Sequence, residues 1–380
     1  MPAPLDEYPL HQSPLSLSYV ASSDRNFYDR CYFNAHDRSG DIFLVTGLGF
    51  YPNLGVKDAY AAVRRGDRQH VIRCSDPIDD DRLHPRVGPY RIEIVEPLHK
   101  VRLVCDGAGS GSGSGSGAGN DAGDICFDLT WQGSFPAVDE ERHLLRQGRR
   151  TIIDTWRFAQ LGTWTGELRV GGEEISVSPD TWVGSRDRSW GIRPVGESEP
   201  AGRPVHDASF GFWWLYVPIR FEQFAVVVIA QEDGIGHRTL NDAVRVWPDG
   251  RVEQLGWPRV EIDYRSGTRD PQHARIHLTE RDGTPFVLDI EPSCGVPLHV
   301  GCGYGGDSEW LHGSWRGPGW VDTSVYDFTD PAVAGRVPWG VIDYVGRATA
   351  GDLVGWGLFE HGTIGRHDPS GFTDLGSVAP

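Results

Sequence analysis

Short apolar runs separated by turn residues recur along most of the chain. Residues 40–46, 90–95, 100–105, 125–131, 166–170 and 174–177 fill the first half, and 224–230, 243–247, 274–278 and 286–290 the second. Their length and β-branched content predict strands, and the pairs Gly171-Gly172, Asp249-Gly250 and Asp282-Gly283 carry the positive-φ chemistry of tight hairpins. Strands at this spacing without alternating helices predict an all-β chain of antiparallel barrel or sandwich type, with few short helices. One stretch departs from the pattern. Residues 137–147 place acids before bases, as a helix dipole favours, and predict a helix. The Gly/Ser tract at 107–123 cannot bury a core and predicts a flexible hairpin tip that tolerates shortening.

The chain has 380 residues, with 14 Trp, 15 Phe and 12 Tyr, enough for two large cores. Residues 191–203 read as a linker, which divides the chain into β-domains at 1–194 and 195–380. The second half opens on an aromatic run, Phe210-Gly-Phe-Trp-Trp-Leu-Tyr216. A formal charge of −17 argues against nucleic acid and anionic membrane surfaces, which require basic patches. No run approaches the eighteen apolar residues of a spanning helix, and the N-terminus lacks a signal-peptide pattern. The expectation is a soluble cytoplasmic protein.

Six cysteines show no zinc spacing, and free thiols are expected. His273 and His277 lie four apart in a strand-like run, about 13 Å from end to end, too far to share a metal. Gly301-Cys-Gly-Tyr-Gly-Gly306 matches a dinucleotide fingerprint in letters only, since no helix pattern follows it. No metal and no cofactor are expected.

The strongest candidate for chemistry is Gly184-Ser-Arg-Asp-Arg-Ser-Trp-Gly-Ile-Arg-Pro194, which gathers Arg186, Asp187, Arg188 and Arg193 around Trp190. Charge beside a β core is costly unless it is paired or used. Desolvation of Asp187 would keep its carboxyl protonated near neutral pH, fit to protonate an alkene or expel a hydroxyl. Aromatic faces from Trp190, Trp213, Trp214 and Tyr216 would then stabilise the cation. Strand alternation turns Arg186 and Arg188 away from Asp187, and Trp190 too unless a bulge intervenes. The competing reading is structural, with Asp187 bridging an arginine at the seam between domains. Glu360 and His361 form a second polar pair in an apolar stretch.

The segment from Gly184 to Gly191 resembles the Asp-His-Asn-Trp-Gly segment of carotenoid 1,2-hydratases, and more closely the Arg-Asp-x-Ser-Trp-Gly segment of actinobacterial AttH-like proteins. The similarity extends through Gln160-Leu-Gly-Thr-Trp-Thr-Gly166, Trp214-Leu-Tyr-Val-Pro218 and Glu360-His-Gly-Thr-Ile-Gly365. It implies two tandem lipocalin-like domains with an apolar ligand site, without a required metal or nucleotide. Arg188 and Ser189 stand where the hydratases carry His and Asn, so the resemblance implies fold more than reaction. Together these features point to acid catalysis by Asp187 on an isoprenoid or polycyclic molecule: a hydratase or dehydratase, isomerase or cyclase. Arg186, Trp190, Arg193, Trp213, Trp214, Tyr216, Glu360 and His361 would hold the substrate. The alternative is a non-catalytic carrier of a lipid or terpenoid. The expected partner is a hydrophobic small molecule, not nucleic acid or a membrane.

Overall fold

The apolar runs pair into strands throughout the computed structural model, which describes residues 1–9, 20, 22–108, 125–198 and 211–380. β1 (Phe27–His36), β2 (Ile42–Tyr51), β3 (Val56–Arg65) and β4 (Arg68–Pro77) form one antiparallel meander. β5 (Arg86–Val87), β6 (Tyr90–Glu96), β7 (Lys100–Cys105) and β8 (Ile125–Gly133) form another. β9 (Val138–Asp139), β10 (His143–Gln147) and β12 (Glu173–Val177) all pair with β11 (Arg150–Val170). β13 (Val183–Ile192) joins the two meanders by lying between β1 and β11.

The second sheet follows in β14 (Gly211–Arg220), β15 (Ala225–Glu232), β16 (Arg238–Val246), β17 (Val252–Gln254), β18 (Arg259–Tyr264), β19 (Pro271–Thr279) and β20 (Pro285–Pro297). Then β21 (Trp320–Asp327) leaves it and pairs with β4 at the edge of the first sheet. A four-residue helix, α1 (Pro331–Ala334), precedes β22 (Ile342–Ala350) and β23 (Leu353–Gly365), which return to the second sheet beside β14. The molecule is all-β: two curled antiparallel half-barrels of fourteen and nine strands among the described residues. None of its helices is long and apolar enough to cross a membrane, among the described residues.

Alternation creates three cores. One fills the first half-barrel around Phe33, Leu103, Trp131 and Trp164, and one fills the second around Leu215, Val228, Ile290 and Phe359. The third lies between the sheets, where Tyr32, Tyr60 and Leu161 meet Trp214, Tyr216, Val227 and Leu358. Every hairpin pair expected from the sequence sits at a turn, with Gly171, Gly172, Gly250 and Gly283 at positive φ.

The helix expected at 137–147 is absent; that stretch forms β9 and β10. Its dipole-like charge order was outweighed by what β11 offers, a free ladder and a buried guanidinium. Val138 enters the inter-sheet core, and Glu140 turns inward to pair with Arg157. The six cysteines are free thiols. Residues 109–123 of the Gly/Ser tract and Phe210 of the aromatic run lie outside the described residues. The glycine-rich turn at 301–306 closes on its own acid, with the Gly301 and Gly303 amides donating to Asp307 Oδ2 at 2.8 and 3.1 Å.

Candidate active site between the two sheets

β13 runs through its registers with β1 and β11 without a bulge, so alternation sorts the charged motif onto two faces. Arg186 is 1% exposed and forks onto Glu7, itself 3% exposed, with contacts of 2.6 and 2.8 Å. Its Nε donates to Gln160 Oε1 at 2.8 Å. Arg188 pairs with Asp29 and donates to the Glu7 carbonyl at 2.8 Å. These two arginines clamp the N-terminal segment. Trp190 shares their face, opposite Trp156 of β11.

The two glycines that bracket the motif let β13 pack tightly between its neighbours. A Cβ on Gly184 would fall 1.9 Å from the Asn34 carbonyl oxygen, and one on Gly191 would fall 2.2 Å from that of Asp154. Gly191 also has φ +128°, which side-chain-bearing residues rarely adopt.

Asp187 and Ser189 face the second sheet, where they line a cavity of about 190 Å³. β1 adds Tyr28, Arg30 and Tyr32; β11 adds Ile153, Thr155 and Arg157; Phe212, Trp214, Ile229 and Glu360 close it from the second sheet. The cavity is smaller than the roughly 300–1,000 Å³ usual for drug-sized ligands. It fits a small molecule, or one end of a larger one.

Three carboxyl environments meet here. Glu140 is buried and pairs with Arg157 at 2.5 Å; burial outweighs that partner and raises its pKa to about 7. Asp187 makes no ion pair among the described residues, is half-buried and lines the cavity. Burial pushes its pKa up to about 6, with Arg157, Arg30 and Arg193 pulling the other way. Asp343 and Glu360 are direct cross-strand partners on β22 and β23. Burial and the Glu360 charge push Asp343 well above the carboxylate range. Tyr32 donates to Asp343 Oδ2 at 2.6 Å, while Glu360 accepts from the Trp214 indole N–H. Burial raises the Glu360 pKa as well, and two buried carboxyls this close favour sharing a proton over both ionising.

Aromatic faces frame these charges. Trp214 stacks on Phe212 at 6.1 Å and on His143 at 5.6 Å between ring centroids. The Arg157 guanidinium lies 4.2 Å from the Tyr216 ring centroid. Such contacts contribute roughly 0.5–2 kcal/mol each and fix the guanidinium plane.

A family model described only as a family of unknown function, DUF8625, matches residues 3–373. The chain belongs to this family. No curated protein matches it in sequence. Among solved structures it is similar to an AttH candidate from Nitrosomonas europaea, at TM-score 0.54 and 12% identity, over 88% of this chain and 92% of that one. It is also similar to CghA (TM-score 0.49, 13% identity, 90% and 89% covered). Kievitone hydratase from Nectria haematococca matches at TM-score 0.46 and 15% identity, over 93% and 97%. The AttH match bears out the tandem lipocalin-like fold that the motif implied.

Against that fold, the residues singled out in the sequence divide. Asp187, Arg193, Trp214 and Glu360 line the cavity, and Tyr216 lies just behind it against Glu140 and Arg157. Arg186 and Trp190 point away from it. Trp213 faces the second half-barrel, stacked on His367 at 5.6 Å. His361 lies there too: its Nδ1 donates to the Trp214 carbonyl at 2.7 Å, and its Nε2 accepts from Tyr264 Oη at 2.9 Å. Burial lowers the His361 pKa to about 3, so it stays neutral. Arg30, Tyr32, Glu140, Arg157 and Asp343 were missed. Asp343 had a signal, a lone acid in the apolar run Ile342-Asp-Tyr-Val345. Glu140 was hidden among the charges of the expected helix.

Proposed function

We propose that the inter-sheet cavity is the active site of an enzyme that transfers protons to and from a small, largely apolar molecule. Adding or removing water, moving a double bond and closing a ring all fall within this chemistry, and an isoprenoid or polycyclic substrate suits the aromatic walls. The observation that carries the reading is that Asp187 and Glu360, from opposite sheets, open into one aromatic-walled cavity. Asp187 serves as the acid and base. With a pKa of about 6 it is roughly one-tenth protonated at pH 7, so it can both give and take a proton. Arg157, held by Glu140, supports negative charge left on the substrate or on Asp187. The Trp214 and Phe212 faces accommodate positive charge that develops on carbon.

The test is turnover of a panel of terpenoid and polyketide alkenes and tertiary alcohols, followed by mass spectrometry. Supporting outcomes are a product 18 Da heavier or lighter, or an isomer of unchanged mass, lost in Asp187→Asn. Turnover undiminished in Asp187→Asn would sink the acid assignment. A bound ligand released intact after long incubation would replace the enzyme with a carrier.

A further inference from the structure

One end of the cavity carries two arginines without a direct ion pair among the described residues, although Asp187 and Asp58 act on them at longer range. Arg30 on β1 is nearly fully buried. Its Nη2 donates to Tyr304 Oη at 2.9 Å, but its Nη1 is buried with no hydrogen-bond partner among the described residues. Arg193, just beyond β13, lines the same cavity and likewise makes no ion pair among the described residues. Both guanidinium groups lie near the Tyr304 ring, at 4.7 and 5.6 Å from its centroid, and Arg193 also covers Tyr28 at 5.0 Å.

The other cavity arginine is treated differently, since Arg157 has Glu140. The buried acid behind Arg30 is Asp58, whose oxygens are taken by Tyr51 Oη at 3.1 Å and the Gly313 amide at 2.6 Å. Phenol rings offset only part of the cost of burying a guanidinium, which calls for a paired anion with hydrogen bonds. Two such groups side by side present planar forks that match an oxyanion.

We infer that Arg30 and Arg193 form an anion subsite, and that the molecule taken into this cavity carries an acidic oxygen group such as a carboxylate or acidic enol. The inference refines the substrate of the proposed reaction but reads binding, not turnover. The anion would sit beside Tyr28 and Tyr304, leaving the apolar remainder of the molecule toward Trp214 and Asp187.

The probes are 2-naphthoate and its neutral counterpart 2-naphthamide, titrated by isothermal calorimetry into the full-length protein. The expected result is a preference for the carboxylate of at least tenfold, cut to threefold or less by Arg193→Gln and restored only in part by Arg193→Lys, which returns the charge but not the fork. Asp187→Asn should keep the preference, so loss of the catalytic proposal and loss of this one are separable. Equal binding of the two probes, binding of neither at millimolar concentration, or an unchanged preference in Arg193→Gln would overturn the subsite.

Discussion

Glu7→Gln tests whether the motif arginines hold the fold. Glu7 accepts both forks of Arg186 and the Leu98 amide at 2.7 Å, and its carbonyl accepts from Arg188. Gln keeps the volume and one acceptor but removes the charge, leaving Arg186 buried without a counter-ion. Breaking a buried pair in this way costs about 3–5 kcal/mol. The retained amide places this change near the lower end, about 3 kcal/mol, or roughly 150-fold in the unfolding equilibrium. Equilibrium urea unfolding monitored by tryptophan fluorescence reads the difference. The pH dependence adds a second check. Burial raises the Glu7 pKa, but Arg186 and the other donors outweigh it and set the net shift downward. A lowered carboxylate pKa stabilises above its unfolded value, about 4.5, and that stability is lost as pH falls through the folded value. The wild-type advantage over Glu7→Gln should therefore be complete at pH 7 and shrink in acid. A difference below about 0.5 kcal/mol at pH 7, or one equally large below the folded pKa, would refute the reasoning.

Gly184→Ala should destabilise by about 3 kcal/mol in the same assay, the upper end of the overpacking range, because its new Cβ meets backbone and not the end of a flexible side chain. If Asp187 acts as the acid, kcat/KM should fall as pH rises through about 6, and Asp187→Asn should remove that limb of the profile. Cutting residues 107–123 to four should leave stability within about 1 kcal/mol, since Cys105 already pairs with Phe127 across the hairpin. Thermal melts of the shortened protein check this.

Strands were legible wherever their residues alternate or run apolar between turn pairs, as in β7, which matches its expected bounds residue for residue. The reach of β11 was not, because Arg150, Asp154 and Arg157 interrupt its apolar pattern, and the partners of Asp154 and Arg157 lie in the link between β9 and β10. Arg157 answers Glu140, and Arg186 answers a carboxylate 179 positions away. Long-range pairing of this kind leaves no local trace. Alternation correctly separated Asp187 from Arg186 and Trp190, and the unbroken register shows why no bulge rescued Trp190 as a cavity residue. The choice between cavity and seam dissolves, because the cavity lies in the contact between sheets.

The excursion of β21 has a bearing on how the chain comes into being. Its partner β4 ends at Pro77, whereas β21 ends at Asp327, so the two pair only after about 250 further residues have been made. At roughly 5–20 residues per second, the β4 edge waits on the order of 12 to 50 seconds during synthesis with its backbone ladder unfilled. Such an edge invites pairing with other chains. The nascent protein is open to edge-to-edge aggregation in that interval, before the second half-barrel is complete.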